Sequence, residues 1–511
     1  MPQSAMSAIA PSTRAVAPDG PDAPAARALL REAVLAGPAS GVDIGAAVGG
    51  GFLRRLVGGD VVEEALARAG HADRRRRVLP GPATVEAVLG LCVFSGQGYD
   101  SVLARVFPDP PTASALSQAR DRLEGDPLQE LFDLTAEAAC SGYEDEQEKE
   151  DKDDGGGREP APGSTAFGFW LSAFDGTVFD LAATDENAAE FAVPTGGRRP
   201  QARLVTLNDC GTRRVRAAAA GSYATSEQEL VDPLGRALRP GELNLCDRNF
   251  FSMARWVAFT ATGAQLAWRV KSGKNSLPAK TIAILPDGST LVRLRESNSM
   301  LARRRRKAGD PTLPRLPDTI ARLVEFDVRV TDAAGKTKTS RYRILTTLLD
   351  HEAYPASQVA AVYAERWQVE IAYYRVKVTL RGAGAALRGR SPRLARQEIW
   401  GMLTVYNALC DLAAQTAVSL GIDPDQVSFI AVIRHTRHHL SAASRACHHC
   451  GQRPDPDQAA QALLDDIAAS PRNRTGRQRA SPRTKAQRRT ERTRNVTYTI
   501  EIVTSNLPKA D

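Results

Sequence analysis

Apolar positions recur at helical spacing through the first part of the chain. Between Gly and Pro breaks, apolar groups such as those at 61–66 and 87–91 repeat with a period of about 3.6 residues. This pattern predicts a helical N-terminal domain over residues 26–141. Residues 1–25 lack such a period and are rich in Ala, Pro and Ser, which predicts a disordered leader.

An acidic, glycine-rich stretch follows this helical region. Eight of the eleven residues from Glu144 to Asp154 are acidic, and a glycine triplet comes directly after them. Like charges and glycines keep a chain solvated and extended. We therefore predict a linker over residues 142–165 and a second domain that begins near Ala166.

Strand and helix patterns alternate in the second domain. Its first half predicts three strands, a helix that opens at Ser226 with Glu229 completing a capping box, and then a further strand and helix. This order favours an α/β layer fold with a mixed sheet. The predicted strands are Phe169–Phe174, Leu204–Leu207, Arg213–Ala217 and Glu242–Cys246, and the helix after them is Phe250–Phe259.

A strand-rich segment interrupts this alternation. Five strand-like runs separated by turn residues predict a β-rich insertion over residues 264–348. Long helices resume at Ser357–Leu380 and Gln397–Leu420, and residues 426–511 predict a helical segment with a basic tail. The five predicted strands are Leu266–Val270, Thr281–Leu285, Thr290–Leu294, Leu323–Val330 and Tyr342–Leu349.

Composition places the chain among ordinary globular proteins. Of its 511 residues, 42% are hydrophobic and 25% are charged, which excludes wholesale disorder, a fibre or a disulfide-stapled secreted peptide. The seven cysteines are scattered, and no apolar run approaches the roughly 18 residues of a membrane span. The start of the chain lacks the pattern of a secretory signal. These features predict a cytoplasmic protein that does not enter a membrane.

The net charge of +8 is concentrated near the end of the chain. Lys and Arg number 67 against 59 Asp and Glu, and eleven bases against three acids lie between Pro471 and Asp511. This tail is typical of a non-specific DNA-binding arm, and a solubilising tail has the same composition. Two further clusters, Arg74–Arg77 and Arg303–Lys307, are either contacts to phosphate backbones or solvated loops.

The sharpest chemical signal is a set of four polar residues in the first long helix after the insertion. Tyr363, Arg366, Glu370 and Lys377 are three, four and seven positions apart, so at about 100° per residue they share an arc of roughly 60° on one helix face. A carboxylate flanked by two cations suits a divalent ion and adjacent phosphates. The alternative is a surface ion pair worth about 0.3 kcal/mol, with the tyrosine as packing.

Two aspartates at strand ends complete a candidate site. Asp175 and Asp247 each follow an apolar strand, and if the two strands are neighbours their carboxylates converge. Together with Glu370 they can share two Mg²⁺ ions roughly 3.5–4 Å apart, with Mn²⁺ as a substitute. Three other acids near these strands are assigned to solvated turns: Asp180, Asp185 and Asp209.

These motifs resemble those of the DDE transposases of bacterial insertion sequences, specifically the IS four family. Its Tyr-x2-Arg-x3-Glu-x6-Lys signature is matched without gaps by the four helix residues, and the Asp-Gly-Thr at Asp175 and the Asp-Arg at Asp247 resemble its other two motifs. Residues 77–80 and 116–123 resemble parts of its N-terminal module. The resemblance covers residues 26–415.

The resemblance implies an RNase H-like α/β core over residues 166–425, interrupted by the β-rich insertion. It implies a Mg²⁺-dependent transposase that cuts DNA at the terminal inverted repeats of its element, joins the ends to target DNA, and acts as a homodimer associated with the nucleoid. Asp175, Asp247 and Glu370 would be the catalytic metal ligands. The residues expected to contact DNA are Tyr363, Arg366 and Lys377 from the signature and Arg303, Arg304 and Arg305 from the basic cluster.

Two other functions are compatible with parts of this pattern. A decayed element kept as a non-catalytic DNA-binding repressor would have a broken acidic set, whereas all three acids are present here. A structure-selective nuclease of the same fold would cut DNA without joining it. Two minor features remain: Trp268 is expected in the core rather than stacked on an extruded base, and Cys447–Cys450 has zinc-ligand spacing without a known finger pattern.

Overall fold

A computed structural model describes eight stretches of the chain, namely residues 59–71, 79–107, 109–136, 165–271, 277–331, 337–443, 456–473 and 499–503. Several sequence-based predictions fall outside these described residues. They are the leader, residues 26–58 of the predicted N-terminal domain, the linker up to residue 164, the Arg74–Arg77 cluster, the Cys447–Cys450 pair and the basic tail beyond residue 473.

The described helices lie before, between and after the strands of a single sheet. In chain order they are α1 Gly59–Arg68, α2 Gly81–Val93, α3 Tyr99–Val106, α4 Ala113–Arg122, α5 with described residues 127–136, α6 Asp185–Phe191, α7 Glu227–Val231, α8 Met253–Thr260, α9 Asn298–Ala308, α10 Ala356–Tyr363, α11 Trp367–Tyr374, α12 Pro392–Leu420, α13 Phe429–Ala443 and α14 Pro456–Ala468. Shorter turns are the 3₁₀ segments Asp232–Ala237, Ala364–Arg366 and Pro424–Gln426 and the π-helical turn Arg375–Leu380. Within the described residues, no helix is long and apolar enough to span a membrane.

The strands of the described residues form one eleven-stranded sheet. They are β1 Thr165–Ala166, β2 Phe169–Asp180, β3 Gln201–Asp209, β4 Val215–Ser222, β5 Glu242–Cys246, β6 Gln265–Arg269, β7 Ala279–Ile284, β8 Thr290–Leu294, β9 Thr319–Thr331, β10 Thr337–Thr346 and β11 Thr499–Val503.

Five of these strands have RNase H-like topology. β2, β3 and β4 form an antiparallel meander, and β5 and β6 run parallel to β2 on its other side, so the order is β4-β3-β2-β5-β6. This is the expected RNase H-like α/β core. The sequence pattern groups β6 with the insertion, whereas its parallel pairing to β5 through the α8 crossover makes it the last core strand.

The insertion extends the core sheet instead of forming a separate layer. β10 pairs antiparallel with β6, and β9, β8 and β7 follow outward in that order. The insertion also contains α9, which the sequence pattern does not predict because a run of bases obscures its period. Its ends carry ordinary signals, since the Ser297 side chain accepts from the Met300 N–H and Gly309 ends the helix at φ 67°.

Alternation along β2 divides the core between two faces of the sheet. Leu171 and Ala173 pack on the face covered by α10 and α11, and Phe174 packs on the face covered by α8 and α9. Trp268 lies on the second face, where it is fully buried and its Nε1 donates to Asn244 Oδ1 at 3.0 Å. The core assignment for this tryptophan is therefore confirmed.

The N-terminal helices and α12 share one hydrophobic core on the first face. Phe132 of α5 packs against Trp400 of α12 with ring centroids 5.4 Å apart. In the same interface, Arg120 Nε of α4 donates to Gln397 Oε1 at 3.0 Å. The long helix α12 thus joins the N-terminal helices to the RNase H-like core.

Candidate active site

Asp175 and Asp247 lie side by side where β5 ends. Asp247 follows the end of its strand as predicted, but the prediction for Asp175 was wrong, because β2 continues to Asp180 and Asp175 pairs with Thr206 within it. β2 and β5 are parallel and pair Phe174 with Cys246, so the two aspartates are the next residues on neighbouring strands. Parallel neighbours are about 4.8 Å apart. By strand alternation both aspartates belong to the face of Ala173, which α10 and α11 cover. The sheet register therefore brings together two carboxylates that are far apart in sequence.

The signature lies on a helical segment that is less regular than a single α-helix. The predicted helix Ser357–Leu380 is observed from Ala356 to Leu380, but it includes the 3₁₀ turn after Tyr363 and the π-helical turn at its end. Such turns change the rotation per residue, so a constant 100° step does not describe the segment. The positions of the signature residues are given by their contacts with the sheet.

Tyr363 and Lys377 both bond to backbone oxygens at the sheet. The hydroxyl of Tyr363, 4% exposed, donates to the carbonyl oxygen of Cys246 at 3.1 Å. Lys377 Nζ donates to Thr177 Oγ1 at 3.1 Å and to the Val178 carbonyl at 2.7 Å. Tyr363 is thus attached directly before Asp247, and Lys377 is attached two and three residues after Asp175.

Arg366 lies between two of the three acids. Its Nη1 is 3.6 Å from Asp175 Oδ2, and its Nη2 is 3.1 Å from Glu370 Oε1. Burial by itself disfavours the charged guanidinium, yet the pKa of Arg366 is raised above its ordinary value because neighbouring groups outweigh burial. Those groups are Tyr363, Asp175, Asp247 and Glu370. Arg366 is therefore a permanent cation held against the acids.

The negative charge of Asp175 is only partly balanced by its neighbours. Burial raises its pKa to about 6, and the charges of Glu370 and Asp247 add to that effect, while Arg366 and the Gly176 N–H oppose it. The Gly176 N–H donates to Asp175 Oδ1 at 2.9 Å. A carboxylate in this state gains from any further cation placed beside it.

Asp247 has a partner that the sequence pattern does not indicate. Arg269, at the end of β6, brings its Nη1 to 3.7 Å from Asp247 Oδ1, and its guanidinium lies 3.7 Å from the ring centroid of Tyr342. Tyr342 in turn meets Tyr363 with ring centroids 6.3 Å apart. Side chains alternate along β6, so Trp268 faces the core and the next residue, Arg269, faces the acids.

The donor set fits a divalent cation, although the side chains are not gathered around one. No group of three His, Cys, Asp or Glu side chains in the described part of the chain is arranged to hold a metal ion. Asp247 Oδ1 is buried and accepts no hydrogen bond from the described residues. Buried carboxylate oxygens without donors are suited to Mg²⁺ or Mn²⁺, which prefer oxygen ligands. Asp175, Asp247 and Glu370 thus fit such an ion chemically.

The other nearby acids have structural partners. The assignment of Asp180 to a solvated turn was wrong, because it is the half-buried last residue of β2 and its Oδ1 accepts from Gln201 Nε2 at 2.6 Å. Asp209 is 3% exposed and accepts from the Thr212 N–H, so it stabilises a turn as expected but is buried rather than solvated. Asp185 lies in the exposed first turn of α6, as expected of a solvated acid.

The basic cluster of the insertion divides into internal and external residues. Arg304 forms a two-point ion pair with the buried Glu296, at 2.8 and 3.1 Å, and Arg305 Nε donates to the Leu313 carbonyl at 2.9 Å. Arg303 and Lys307 are exposed. Arg304 and Arg305 therefore hold α9 against its own loop, and the outward positive charge comes from their neighbours.

Comparison with known proteins relates both parts of the chain to transposases. A family model described as Insertion element 4 transposase N-terminal matches residues 49–133, and one described as Transposase DDE domain matches residues 167–408. The chain is 26% identical over 381 residues to Transposase InsG for insertion sequence element IS4 from Escherichia coli (strain K12). The aligned region covers 72% of this chain and 78% of that protein.

A solved structure is also similar. It is the cryo-EM structure of the piggyBac transposase synaptic complex with hairpin DNA, with 11% identity, a TM-score of 0.42, and 82% of this chain and 84% of the other covered. The two family matches lie on the N-terminal helices and on the core that holds the three acids. The chain belongs to the IS four (IS4) family of DDE transposases.

Proposed function

We propose that this protein cuts DNA at the ends of its own insertion sequence and joins the freed ends to target DNA. The observation that carries the proposal is the adjacency of Asp175 and Asp247 on parallel strands, beside the helix that bears Arg366 and Glu370. Phosphoryl transfer depends on positioning and on neutralising the charge of the phosphate. This cluster combines acidic groups for a cation with a fixed guanidinium for a phosphate.

Asp175, Asp247 and Glu370 would hold the divalent cation, Mg²⁺ or Mn²⁺. When bound, such ions activate the attacking oxygen and stabilise the leaving oxygen of a phosphodiester. Arg366 is placed to neutralise a phosphate oxygen at the same point, since a guanidinium binds phosphate through two parallel hydrogen bonds.

Tyr363 and Lys377 have supporting roles at the site. Tyr363 fixes the backbone before one aspartate, and Lys377 supplies a positive charge. Tyr363 bonds to the carbonyl of Cys246, directly before Asp247, so it positions that carboxylate. Lys377 keeps a positive charge beside β2 through its bond to Val178, where it can attract the backbone of the element's end.

The partners of this reaction are DNA and a second copy of the chain. Two ends must be handled together in cut-and-paste transposition, so we propose a homodimer on the DNA. Because the substrate is chromosomal or plasmid DNA, we propose that the protein acts in the bacterial cytoplasm, at the nucleoid.

The test compares Glu370→Gln with the matched variant Glu365→Gln, five residues earlier on the same segment. The substrates are labelled fragments that carry the inverted repeats flanking the gene, with and without Mg²⁺. We expect Glu370→Gln to abolish Mg²⁺-dependent cleavage with nearly unchanged DNA binding, since binding is dominated by basic residues. Glu365→Gln should retain cleavage. Cleavage that survives Glu370→Gln, or wild-type protein that binds the ends without cutting them, contradicts the proposal. Cleavage without joining supports a nuclease instead.

A further inference from the structure

A second polar groove lies on the face of the sheet opposite the signature helix. It has a volume of about 1720 Å³ and runs between α8, the β7–β8 hairpin and α9. Ten of its lining residues are Lys or Arg and three are acidic, whereas the whole chain has 67 bases against 59 acids. The groove is therefore far more basic than the protein as a whole.

Two of the three acids of the groove form ion pairs within the protein, and the third is part of a helix cap. Asp232 pairs with Arg255 at 2.7 Å, and Glu296 pairs with Arg304. Glu229 accepts from the Ser226 N–H at 3.1 Å as part of the capping box. Arg255 and Arg304 are thus used by two of these acids, and Glu229 is the one acid left against the eight other bases that line the groove.

Five of the lining bases are exposed and have no acidic partner within 4.0 Å among the described residues. Two of them are one helical turn apart on α9, so their side chains share a face. Cations collected in a groove without counter-charge create a positive potential that attracts a polyanion. These bases are Arg248, Lys280, Arg293, Arg303 and Lys307.

The groove begins next to the candidate active site. Arg248 directly follows Asp247, and it lines the groove on the other face of the sheet. Arg248 is therefore the groove base nearest along the chain to the acids, so DNA that leaves the proposed reacting phosphate on this side would meet Arg248 before the bases of the insertion.

We propose that this groove binds the phosphate backbone of the DNA that leads away from the reacting phosphate, on the face not occupied by the signature helix. The inference rests on the proposed function. That DNA is of arbitrary sequence, because it is either the flank outside the element or the target. Both sources offer the same backbone chemistry, and the contacts on α9 and β7–β8 are made by long flexible bases that suit a sequence-independent role.

The binding experiment uses a labelled duplex of random sequence, about 30 base pairs long, over a range of NaCl concentrations. The groove variant combines Lys280→Gln, Arg293→Gln, Arg303→Gln and Lys307→Gln, and the control variant is Arg198→Gln with Arg199→Gln, two exposed bases outside the groove. The slope of log affinity against log salt concentration should weaken by about 3.6 in the groove variant, since each of the four lost phosphate contacts contributes about 0.9. In the control variant the slope should change by less than about 1.8, which is the most that the loss of two phosphate contacts could cause. A groove variant whose salt dependence equals that of the wild type overturns the inference.

Two further measurements separate the sources of DNA. If the groove variant binds element-end fragments more weakly only when they carry flanking DNA, the groove binds the flank. If the variant binds pre-cut ends normally but no longer joins them to target DNA, the groove binds the target. A groove variant that is normal in both measurements again overturns the inference. Wild-type protein is tested for Mg²⁺-dependent cleavage in parallel, so failure of the proposed function is seen separately. Circular dichroism of the groove variant checks that it is folded.

Discussion

Replacing Asp175 by Asn should stabilise the metal-free protein at neutral pH. The pKa of this carboxyl is raised from its ordinary 3.8 to about 6, mainly by burial, and Glu370 and Asp247 contribute in the same direction. A raised pKa means that the folded state holds the proton more tightly than the unfolded state. The stabilising contribution of the protonated form is therefore complete below about pH 3.8 and is lost as the pH rises through 6.

The size of the effect follows from the pKa change. An increase from 3.8 to about 6 corresponds to about 3 kcal/mol of stability lost on ionisation at pH 7.5, and roughly half of that loss is present at pH 5. Asn has nearly the same shape and carries no charge. We expect Asp175→Asn to raise the free energy of unfolding by about 3 kcal/mol at pH 7.5 and by about half as much at pH 5.

The assay is chemical unfolding in EDTA at the two pH values, followed by the same measurement with Mg²⁺. Ion binding to the folded state should stabilise the wild type by about 1.4 kcal/mol at ten times the dissociation constant, and should do little for Asp175→Asn. Asp180→Asn is the control on the same strand, because its partner Gln201 can bond equally well to an amide oxygen. A variant that is no more stable at pH 7.5, or whose gain is the same at both pH values, would refute the reasoning.

Two other predictions concern the stability of the folded protein. Arg304→Ala should destabilise it by about 3 kcal/mol in thermal or chemical unfolding, because the buried carboxylate of Glu296 loses its ion pair and keeps, among the described residues, only the hydrogen bond from the Leu316 N–H. The exposed Arg303→Ala should change stability by less than about 0.5 kcal/mol. Equal effects of the two variants would contradict the internal role of Arg304. Gly235→Ala should lower the free energy of unfolding by about 2 kcal/mol, since a Cβ there would lie 2.1 Å from Phe259 Cε1. An unchanged unfolding midpoint would show that the Phe259 ring moves aside without cost.

Several elements follow from local sequence alone. The predicted capping box at Ser226 and Glu229 is present, with both reciprocal hydrogen bonds. The helix that carries the signature was predicted within one residue of its observed start. These features depend on hydrogen bonds and side-chain periods within a few residues, and such short-range interactions are written into the sequence. The same local signals at Ser297 and Gly309 mark α9, which the run of bases concealed.

The composition of the site depends on contacts that are distant along the chain. Asp175 and Asp247 become neighbours only through the parallel register of β2 and β5. Arg269 joins them because β6 is the next strand, although the sequence pattern assigns that strand to the insertion. Strand order and register are set by packing over the whole sheet, so no local pattern reveals these partners.

The sequence by itself determined the acidic and basic residue types, their spacing on one helical segment and the likeness to a family of transposases. Only the tertiary structure decided which charges are compensated inside the protein and which face outward: Arg304 is bound to Glu296, Arg366 lies between two acids, and Arg303 is exposed. The reason is physical. Electrostatic interactions act through space and depend on burial, and neither distance nor burial is a property of the linear order of residues.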